Sequence, residues 1–232
     1  MVTGATSGIG RATALALADC GMALGLVGRD SRRLADVTME ARTSSPRVEA
    51  YQGDLSQDED IRRIVMSVQK DFAGVDVLVH SAGLFHMGSV GQSPIEELDE
   101  LYRVNVRAPY ALSQALLPML SAKNGQIVFV NSSAGISSRA GVAAYAATKH
   151  ALRAIADALR AEVNPDAVRV ISIYPGRTAT PQQKIIHEKE GKAYHPECLL
   201  QPEDVARALV DSLMMPRTAE VTDISIRPMR KT

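Results

Sequence analysis

The stretch TGATSGIG, Thr3–Gly10, decides the fold, because it places three glycines within eight residues near the start of the chain. A glycine inside a helix or strand costs roughly 1 kcal/mol relative to alanine, so this density requires a reason. A glycine-rich turn between a strand and a helix lets the main chain approach a pyrophosphate, and the helix N-terminus supplies free N–H groups. The spacing G-x-x-x-G-x-G differs from the G-x-G-x-x-G fingerprint, so taken alone the stretch also fits a surface loop.

The strand that should precede this turn is very short. Only Met1 and Val2 come before Thr3, whereas a strand usually has about five residues. Either the chain has been shortened at this end or the strand is unusually short.

Apolar runs of strand length alternate with longer amphipathic stretches along the rest of the chain. Strands are predicted at 22–28, 47–53, 75–83, 125–133, 168–176 and 220–228. Helices are predicted at 9–20, 31–43, 57–72, 94–122, 142–163 and 202–214. Several of the runs are apolar almost throughout, which is typical of strands covered on both faces. The alternation predicts an α/β fold, a single-domain doubly wound (Rossmann) parallel sheet over residues 1–232 with helices on both faces.

Region 176–201 is the one long segment without a clear period. A loop of this length in a compact domain is usually functional, so it is predicted to be a substrate lid. Its many charged side chains favour a solvated surface, with contact to a polar substrate as the alternative. They are Arg177, Lys184, His187, Glu188, Lys189, Glu190, Lys192 and His195.

Composition excludes several functions. The 26 basic and 26 acidic residues balance, so neither nucleic acid nor an anionic membrane surface is expected as a partner. No apolar run approaches the ~20 residues that span a bilayer, and no signal peptide is visible. Cys20 and Cys198 are isolated, as reduced thiols in a cytoplasmic protein would be. His80, His86 and His150 show no metal-binding spacing, so no metal is expected.

The residue after the second strand bears on the choice of dinucleotide. Arg29 lies 19 residues after Gly10, where an acid would bind the ribose hydroxyls of NAD and an arginine would accommodate the 2′-phosphate of NADP. A guanidinium binds phosphate through two hydrogen bonds. Asp30 could favour NAD, or it could cap the next helix, with Ser31 as the other candidate cap. NADP(H) is therefore the expected cofactor and NAD(H) the alternative.

A second group of polar residues lies in the middle of the chain. Tyr145 and Lys149 are four apart on a predicted helix and share a face, so the ammonium would lower the phenol pKa from about 10 and form an acid/base pair. By itself such a pair is also common on surfaces. The strand at 125–131 ends in NSSAG, which places serine at the edge where open sheets bind ligands. Asn105 is a polar residue inside a helix whose apolar positions include Leu98, Leu101, Ala108, Leu112, Ala115 and Met119, although it could simply be tolerated there.

Together these residues resemble the short-chain dehydrogenase/reductase family, over nearly the whole chain. The family's cofactor turn, T-G-x-x-x-G-x-G, matches Thr3–Gly10. Its N-N-A-G motif is similar to HSAG at His80–Gly83, which departs at two positions, and its P-G motif matches Pro175–Gly176. Its adenine-contacting acid matches Asp54, followed by Leu55, although a turn or helix cap is the alternative for Asp54.

The resemblance also assigns the site residues. The catalytic set it implies is Asn105, Ser132, Tyr145 and Lys149. Ser133 is the second choice for the serine, and the threonine after the P-G motif best matches Thr180, with Thr178 close by. The residues expected to bind the cofactor are Gly4, Thr6, Ser7, Gly8, Ile9, Gly10, Arg29, Asp54, Leu55, Ser81, Ala82, Gly83, Tyr145, Lys149, Pro175, Gly176, Thr178 and Thr180.

The resemblance implies an NADP(H)-dependent oxidoreductase that reduces a carbonyl to an alcohol, or the reverse, on a small-molecule substrate. It gives Tyr145 the proton transfer, Ser132 the substrate oxygen, and Lys149 the nicotinamide ribose. Asn105 would hold a water in a proton relay. The alternatives are a non-catalytic redox sensor or scaffold of the same fold, and an NAD-preferring alcohol dehydrogenase.

The helix at 142–163 carries two apolar faces, one of small and one of larger residues. One face should cover the sheet and the other a neighbour. Because the family often pairs subunits through this helix, a homodimer or homotetramer is expected, with another part of the same chain as the alternative cover.

Overall fold

The strands form one seven-stranded parallel sheet in the order β3-β2-β1-β4-β5-β6-β7, as described for residues 1–229 by a computed structural model. The strands are β1 Val2–Thr3, β2 Leu24–Gly28, β3 Val48–Gln52, β4 Val77–His80, β5 Gln126–Val130, β6 Arg169–Pro175 and β7 Asp223–Ile226. The predicted doubly wound sheet is confirmed. Residues 230–232 of the predicted domain lie outside the described residues.

Helices cover both faces of this sheet. They are α1 Gly8–Asp19, α2 Ser31–Ala41, α3 Asp58–Asp71, α4 Ile95–Tyr102, α5 Ala108–Ser121, α6 Ala143–Val163, α7 Pro181–Lys189 and α8 Pro202–Leu213. The helix predicted at 94–122 is interrupted by a π-helical turn, Arg103–Arg107. The apolar periodicity of the sequence did not predict this turn, because a single wider turn leaves apolar positions buried both before and after it.

The lid region is the main local correction to the expected secondary structure. Region 176–201 is not patternless loop, because it contains α7 and a short 3-10 turn at Pro196–Cys198. The side chain of Thr180 caps α7 by accepting a hydrogen bond from the Gln183 main-chain nitrogen (3.1 Å). Pro181 follows at the first helical position, where its missing N–H costs nothing.

The strands are apolar on both sides because each side faces a separate core. Leu26 and Val79 pack in the layer that contains α1, α2 and α8. Their neighbours Val27 and Leu78 face the opposite layer, with α3, α5 and α6. Successive side chains of a strand point to opposite faces, so a doubly covered strand reads as a continuous apolar run.

Strand β1 is short but central. It pairs with β2 on one side and β4 on the other, and main-chain pairing extends beyond it, from Val79 N to Met1 O (2.9 Å) and from Ala5 N to Val27 O (3.1 Å). The Thr3 hydroxyl accepts hydrogen bonds from the main-chain nitrogens of Ser81 (3.1 Å) and Ala82 (3.2 Å). The unusually short strand is therefore supported by both neighbours.

Candidate active site

A cavity of about 750 Å³ lies at the carboxyl ends of the strands, where the chain order reverses between β1 and β4. Ligands of open α/β sheets bind at such a reversal. Every residue predicted to bind the cofactor lines this cavity, and so do Ser132, Tyr145 and Lys149. Asn105 is not among the lining residues and is 1% exposed.

The glycine-rich turn forms one wall through very close main-chain packing. A Cβ on Gly10 would lie 2.2 Å from the Gly4 oxygen, and a Cβ on Gly4, whose φ is +66°, would lie 2.7 Å from the Ala82 main chain. A Cβ on Gly8 would lie 2.9 Å from the Thr180 Cγ2 atom, so this glycine lets the start of the lid reach the turn. Each of the three glycines therefore lies where other atoms leave no room for a side chain, and the surface-loop alternative is not needed.

The N-terminus of α1 faces this cavity with its own donors available. Ser7 stands at the N-cap position without a side-chain capping bond, and the first turn contains no acidic residue. Free main-chain N–H groups and the positive end of the helix dipole favour an anion here.

Arginines line the cavity beyond β2. Asp30 caps α2, accepting a hydrogen bond from Arg33 N (3.0 Å), which settles the choice between Asp30 and Ser31 as cap. Arg29 Nη1 lies 3.7 Å from an Asp54 carboxylate oxygen, while the other Asp54 oxygen accepts from Ser56 N (2.9 Å). Arg33 also lines the cavity, and sequence reasoning missed it. The signal was available, since Arg33 lies one helical turn from the strand end.

Tyr145 and Ser132 meet at the other end of the cavity. Burial raises the pKa of the Tyr145 phenol, and a hydrogen bond with Ser132 lowers it by less. This corrects the expectation that Lys149 would lower that pKa: the Lys149 Nζ atom lies 5.8 Å from the Tyr145 ring centroid and donates to Val130 O (3.1 Å). The phenol therefore keeps its proton at neutral pH. Ser132 is partly buried whereas Ser133 is exposed, which favours Ser132.

Lys149 is almost completely buried, 4% exposed. Burial lowers the pKa of its ammonium group to about 8. The group is thus charged at neutral pH, with a single described hydrogen bond, to Val130 O. An ammonium has three donors, so this bond leaves two of them unused, and Lys149 lines the cavity.

Asn105 lies inside the π-helical turn and holds the chain after β4. Its Oδ1 accepts from Leu84 N (2.8 Å), and its Nδ2 donates to Leu84 O (3.0 Å) and to Thr148 Oγ1 (3.1 Å). A Cβ added to Gly83 would lie 3.4 Å from Asn105 Oδ1 and 3.8 Å from Lys149 Nζ, so the two groups flank the same glycine. Through these hydrogen bonds Asn105 links the 84–93 loop to α6.

Asn131 is a positioning residue that the sequence did not reveal. Its Oδ1 accepts from Ser132 N (2.9 Å) and its Nδ2 donates to Lys149 O (3.1 Å), so one amide joins the strand carrying the serine to the helix carrying the lysine. A Cβ on Gly135 would lie 2.4 Å from Asn131 Oδ1 and 2.9 Å from Lys149 O. The only available signal was the asparagine before Ser132 in NSSAG.

An ion-pair cluster around one buried carboxylate, that of Glu190, connects the lid to the body. The Glu190 side chain is 5% exposed, and Arg177 donates to both of its oxygens (2.9 and 2.8 Å). Arg139 adds a hydrogen bond (2.7 Å) and Lys192 an ion pair (3.3 Å). Burial raises the Glu190 pKa, but the hydrogen bonds from Arg177 and Arg139 outweigh it and hold the pKa at about 2. The expected solvated surface is therefore wrong for Glu190, and also for His187, which is 4% exposed.

His80, which replaces the first asparagine of N-N-A-G, has a structural role. Its ring stacks on Phe129 (centroids 4.9 Å apart), and its Nε2 lies 2.9 Å from Ser113 Oγ. Burial lowers the pKa of His80 to about 3, so the ring is neutral at neutral pH. Among residues 1–229, no group of three or more histidine, cysteine or acidic side chains could hold a metal ion.

The fold and the cavity define a dinucleotide-binding α/β protein of the Rossmann type. A sequence model for the short chain dehydrogenase family matches residues 1–191. The chain belongs to this family of oxidoreductases, and the resemblance inferred from its motifs is confirmed.

Relatives and solved structures agree over almost the full length. An uncharacterized oxidoreductase of Staphylococcus saprophyticus is 31% identical over 231 residues, which cover 99% of this chain and 96% of the relative. An alcohol dehydrogenase from the archaeon Thermococcus sibiricus, complexed with 5-hydroxy-NADP, has a TM-score of 0.90 at 28% identity and covers 100% of this chain and 96% of its own. An L-sorbose reductase from Gluconobacter frateurii, complexed with NADPH and L-sorbose, has a TM-score of 0.89 at 26% identity, covering 100% and 95%. None of the helices within residues 1–229 combines the length and apolarity that crossing a membrane requires.

Proposed function

We propose that this oxidoreductase uses NADP(H) to reduce a carbonyl compound to an alcohol, or to catalyse the reverse reaction. The observation that carries the proposal is the Tyr145 phenol, which lies beside Ser132 in the wall of a cavity that a glycine-rich turn also lines, and whose pKa burial raises. A group that holds its proton at neutral pH can donate it to a substrate oxygen.

The residues present fit a dinucleotide. The close packing of Gly4 and Gly10 brings main chain, rather than side chains, to the cavity wall. The uncapped N-terminus of α1 suits a pyrophosphate. When bound, the nicotinamide group supplies or accepts the hydride, and the protein supplies placement and electrostatics.

Each polar residue at the Tyr145 end has a separate task in this proposal. Tyr145 Oη transfers the proton, and Ser132 Oγ donates a hydrogen bond to the substrate oxygen as negative charge develops on it. Lys149 binds the nicotinamide ribose through the donors that Val130 O leaves free. Asn105 positions the loop after β4, and its role in a water relay stays a prediction.

The preference for NADP(H) is proposed from charge. Arg29 and Arg33 both line the cavity where β2 ends, and two guanidinium groups suit a 2′-phosphate better than a free ribose hydroxyl. One carboxylate oxygen of Asp30 is engaged as a helix cap, but Asp30 also lines the cavity, so NAD(H) stays the alternative. The NADP and NADPH carried by the solved structures above support the same choice.

Three further expectations remain proposals. Segment 176–201 closes over a small-molecule substrate as a lid, the protein functions in the cytoplasm, and it forms a homodimer or homotetramer. Sedimentation tests the last, since a monomer alone at micromolar concentration would remove it.

The test is turnover of a panel of ketones and aldehydes with NADPH and NADH, by wild type and by Tyr145→Phe. We expect a higher kcat/KM with NADPH, and a fall of about 10²- to 10⁴-fold in Tyr145→Phe, because the phenol hydrogen is the transferred proton. NADPH affinity, measured by fluorescence, should fall far less than turnover, because Tyr145 is one of many residues expected to bind the cofactor.

Two results would contradict the proposal. Tight NADPH binding with no turnover on any carbonyl would favour the sensor or scaffold alternative. Higher kcat/KM with NADH would favour the NAD-preferring alcohol dehydrogenase.

A further inference from the structure

The cluster around Glu190 contains more positive than negative charge. One carboxylate lies within 4 Å of Arg139, Arg177 and Lys192. Glu190 is already satisfied by these partners and does not line the cavity, whereas Arg139 and Arg177 do. Positive charge from the cluster is therefore presented to the cavity, while the negative charge is buried behind it.

The acidic side chains of the cavity wall lie elsewhere. Asp30 and Asp54 are the acidic residues among the described lining residues, and both follow β2 or β3 at the far end. Lys149 lines the cavity beside Tyr145, and Arg139, from the segment that links Ser132 to Tyr145, lines it together with Arg177, its neighbour through Glu190. Because a cleft lined by one sign of charge concentrates the opposite sign, this part of the cavity favours an anion.

Arg139 is the group best placed to bind that anion. It lies in the segment between Ser132 and Tyr145, and its side chain is 55% exposed. A guanidinium has five N–H donors, and within residues 1–229 Arg139 makes one hydrogen bond, to Glu190 Oε1. Arg177, by contrast, is 23% exposed and held by both Glu190 oxygens. Arg139 can keep Glu190 and still bind a carboxylate or phosphate.

The cavity wall also contains apolar side chains, and one of them contacts Tyr145. Leu84, Phe85, Val142 and Ile186 are the larger apolar side chains of the cavity on this side, beside the polar Ser133, Gln182 and Gln183. The Phe85 ring meets the Tyr145 ring edge to face at 4.8 Å. Carbon atoms of a substrate would contact this surface, with the charged group at Arg139.

We infer that the substrate is an anionic carbonyl compound, an oxo acid or a phosphorylated ketone with an apolar carbon chain, whose anionic group is bound by Arg139. This inference rests on the proposed carbonyl reduction. It adds the chemical class of the substrate and a specificity-determining residue.

The experiment compares matched substrates on matched variants. Oxo acids of increasing chain length are each paired with their methyl ester, and phosphorylated ketones with their dephosphorylated forms. The variants are Arg139→Gln, Arg139→Lys and a control, Arg207→Gln, which removes an exposed arginine paired with Asp211 on α8 (3.9 Å). A second readout is calorimetric binding of short-chain carboxylates, with their amides as neutral controls, in the presence of oxidised cofactor.

We expect a higher kcat/KM for at least one anionic series than for its neutral partners. The anionic series with the higher kcat/KM shows whether the bound group is a carboxylate or a phosphate. Arg139→Gln should lower kcat/KM for the anionic substrate by about tenfold to a hundredfold, the usual effect of losing a hydrogen bond between charged groups. The fall for the neutral partner should be much smaller, because it loses only the hydrogen bond from Arg139 to Glu190 that helps hold the lid. Arg139→Lys should retain part of the preference, and Arg207→Gln all of it.

Preference for the neutral partners, or an equal fall for acid and ester in Arg139→Gln, would overturn the inference while leaving carbonyl reduction intact. If no carbonyl compound is turned over, the proposed function fails, and the carboxylate titration alone decides whether Arg139 forms an anion site.

Discussion

The two ends of the cavity are built in different ways. At the glycine-rich turn, main chain packs directly on main chain, so that Gly10 has no room for a single carbon atom beside the Gly4 oxygen. At the opposite end, Lys149 and Glu190 are buried charges held by partners from distant parts of the chain. Main-chain packing at the turn leaves no room for an added carbon atom. Replacing a buried charged side chain should change the free energy of unfolding less, and by an amount that depends on pH.

The largest effect is expected at the glycine-rich turn. Gly10→Ala should lower the free energy of unfolding by roughly 3 kcal/mol or more, because the new Cβ would overlap main-chain atoms that cannot rotate away. NADPH affinity should fall with it. Urea denaturation and fluorescence titration measure both. Gly91→Ala is the control, since a Cβ there meets nothing within 4 Å. Equal urea midpoints for the two variants would show that the turn can accommodate the added carbon atom, which would contradict the prediction.

A change of opposite sign is expected at Lys149. Burial lowers its pKa from 10.5 to about 8, so at pH 7 the folded state carries a charge that it disfavours. Lys149→Met should therefore raise the free energy of unfolding at pH 7 by about 1–3 kcal/mol, after subtracting the lost hydrogen bond to Val130 O. It should also abolish turnover, because Lys149 is the residue proposed to bind the nicotinamide ribose.

The pH dependence makes the Lys149 prediction specific. Between pH 8 and 10.5 the unfolded chain binds more protons than the folded one, so wild-type stability rises relative to Lys149→Met and the difference shrinks. Urea midpoints across this range measure it. The exposed Lys70→Met should shift stability by less than about 0.5 kcal/mol at any pH. A Lys149→Met protein less stable than wild type at pH 7 would contradict the prediction.

The smallest effect is expected at the lid. Glu190→Gln should lower the free energy of unfolding at pH 7 by about 1–2 kcal/mol, because it weakens hydrogen bonds to Arg177 and Arg139, which can partly regain water. The folded pKa is depressed to about 2. The difference from wild type should thus be complete above pH 4.5 and disappear as the pH falls towards 2.

The matched control for the lid is Glu188→Gln, an exposed residue of α7. It should have wild-type stability at pH 7. If both glutamate variants unfold at the same urea concentration, the cluster does not hold the lid to the body.

The amino-acid sequence determined the features that depend on local spacing. Continuous apolar runs between amphipathic stretches require a doubly covered parallel sheet, and the glycines of Thr3–Gly10 mark a turn at its centre. Residues four apart, such as Tyr145 and Lys149, share a helix face whatever surrounds them. These inferences needed only the geometry of strands and helices.

Only the tertiary structure decided which charges are buried and with whom. Arg139 and Glu190 are 51 residues apart, and Asn131 joins Ser132 to Lys149 across two elements. The pKa of Tyr145 rises because burial exceeds the effect of its hydrogen bond with Ser132. Solvation and long-range ion pairing depend on how all the elements pack, and no local pattern in the sequence encodes that sum.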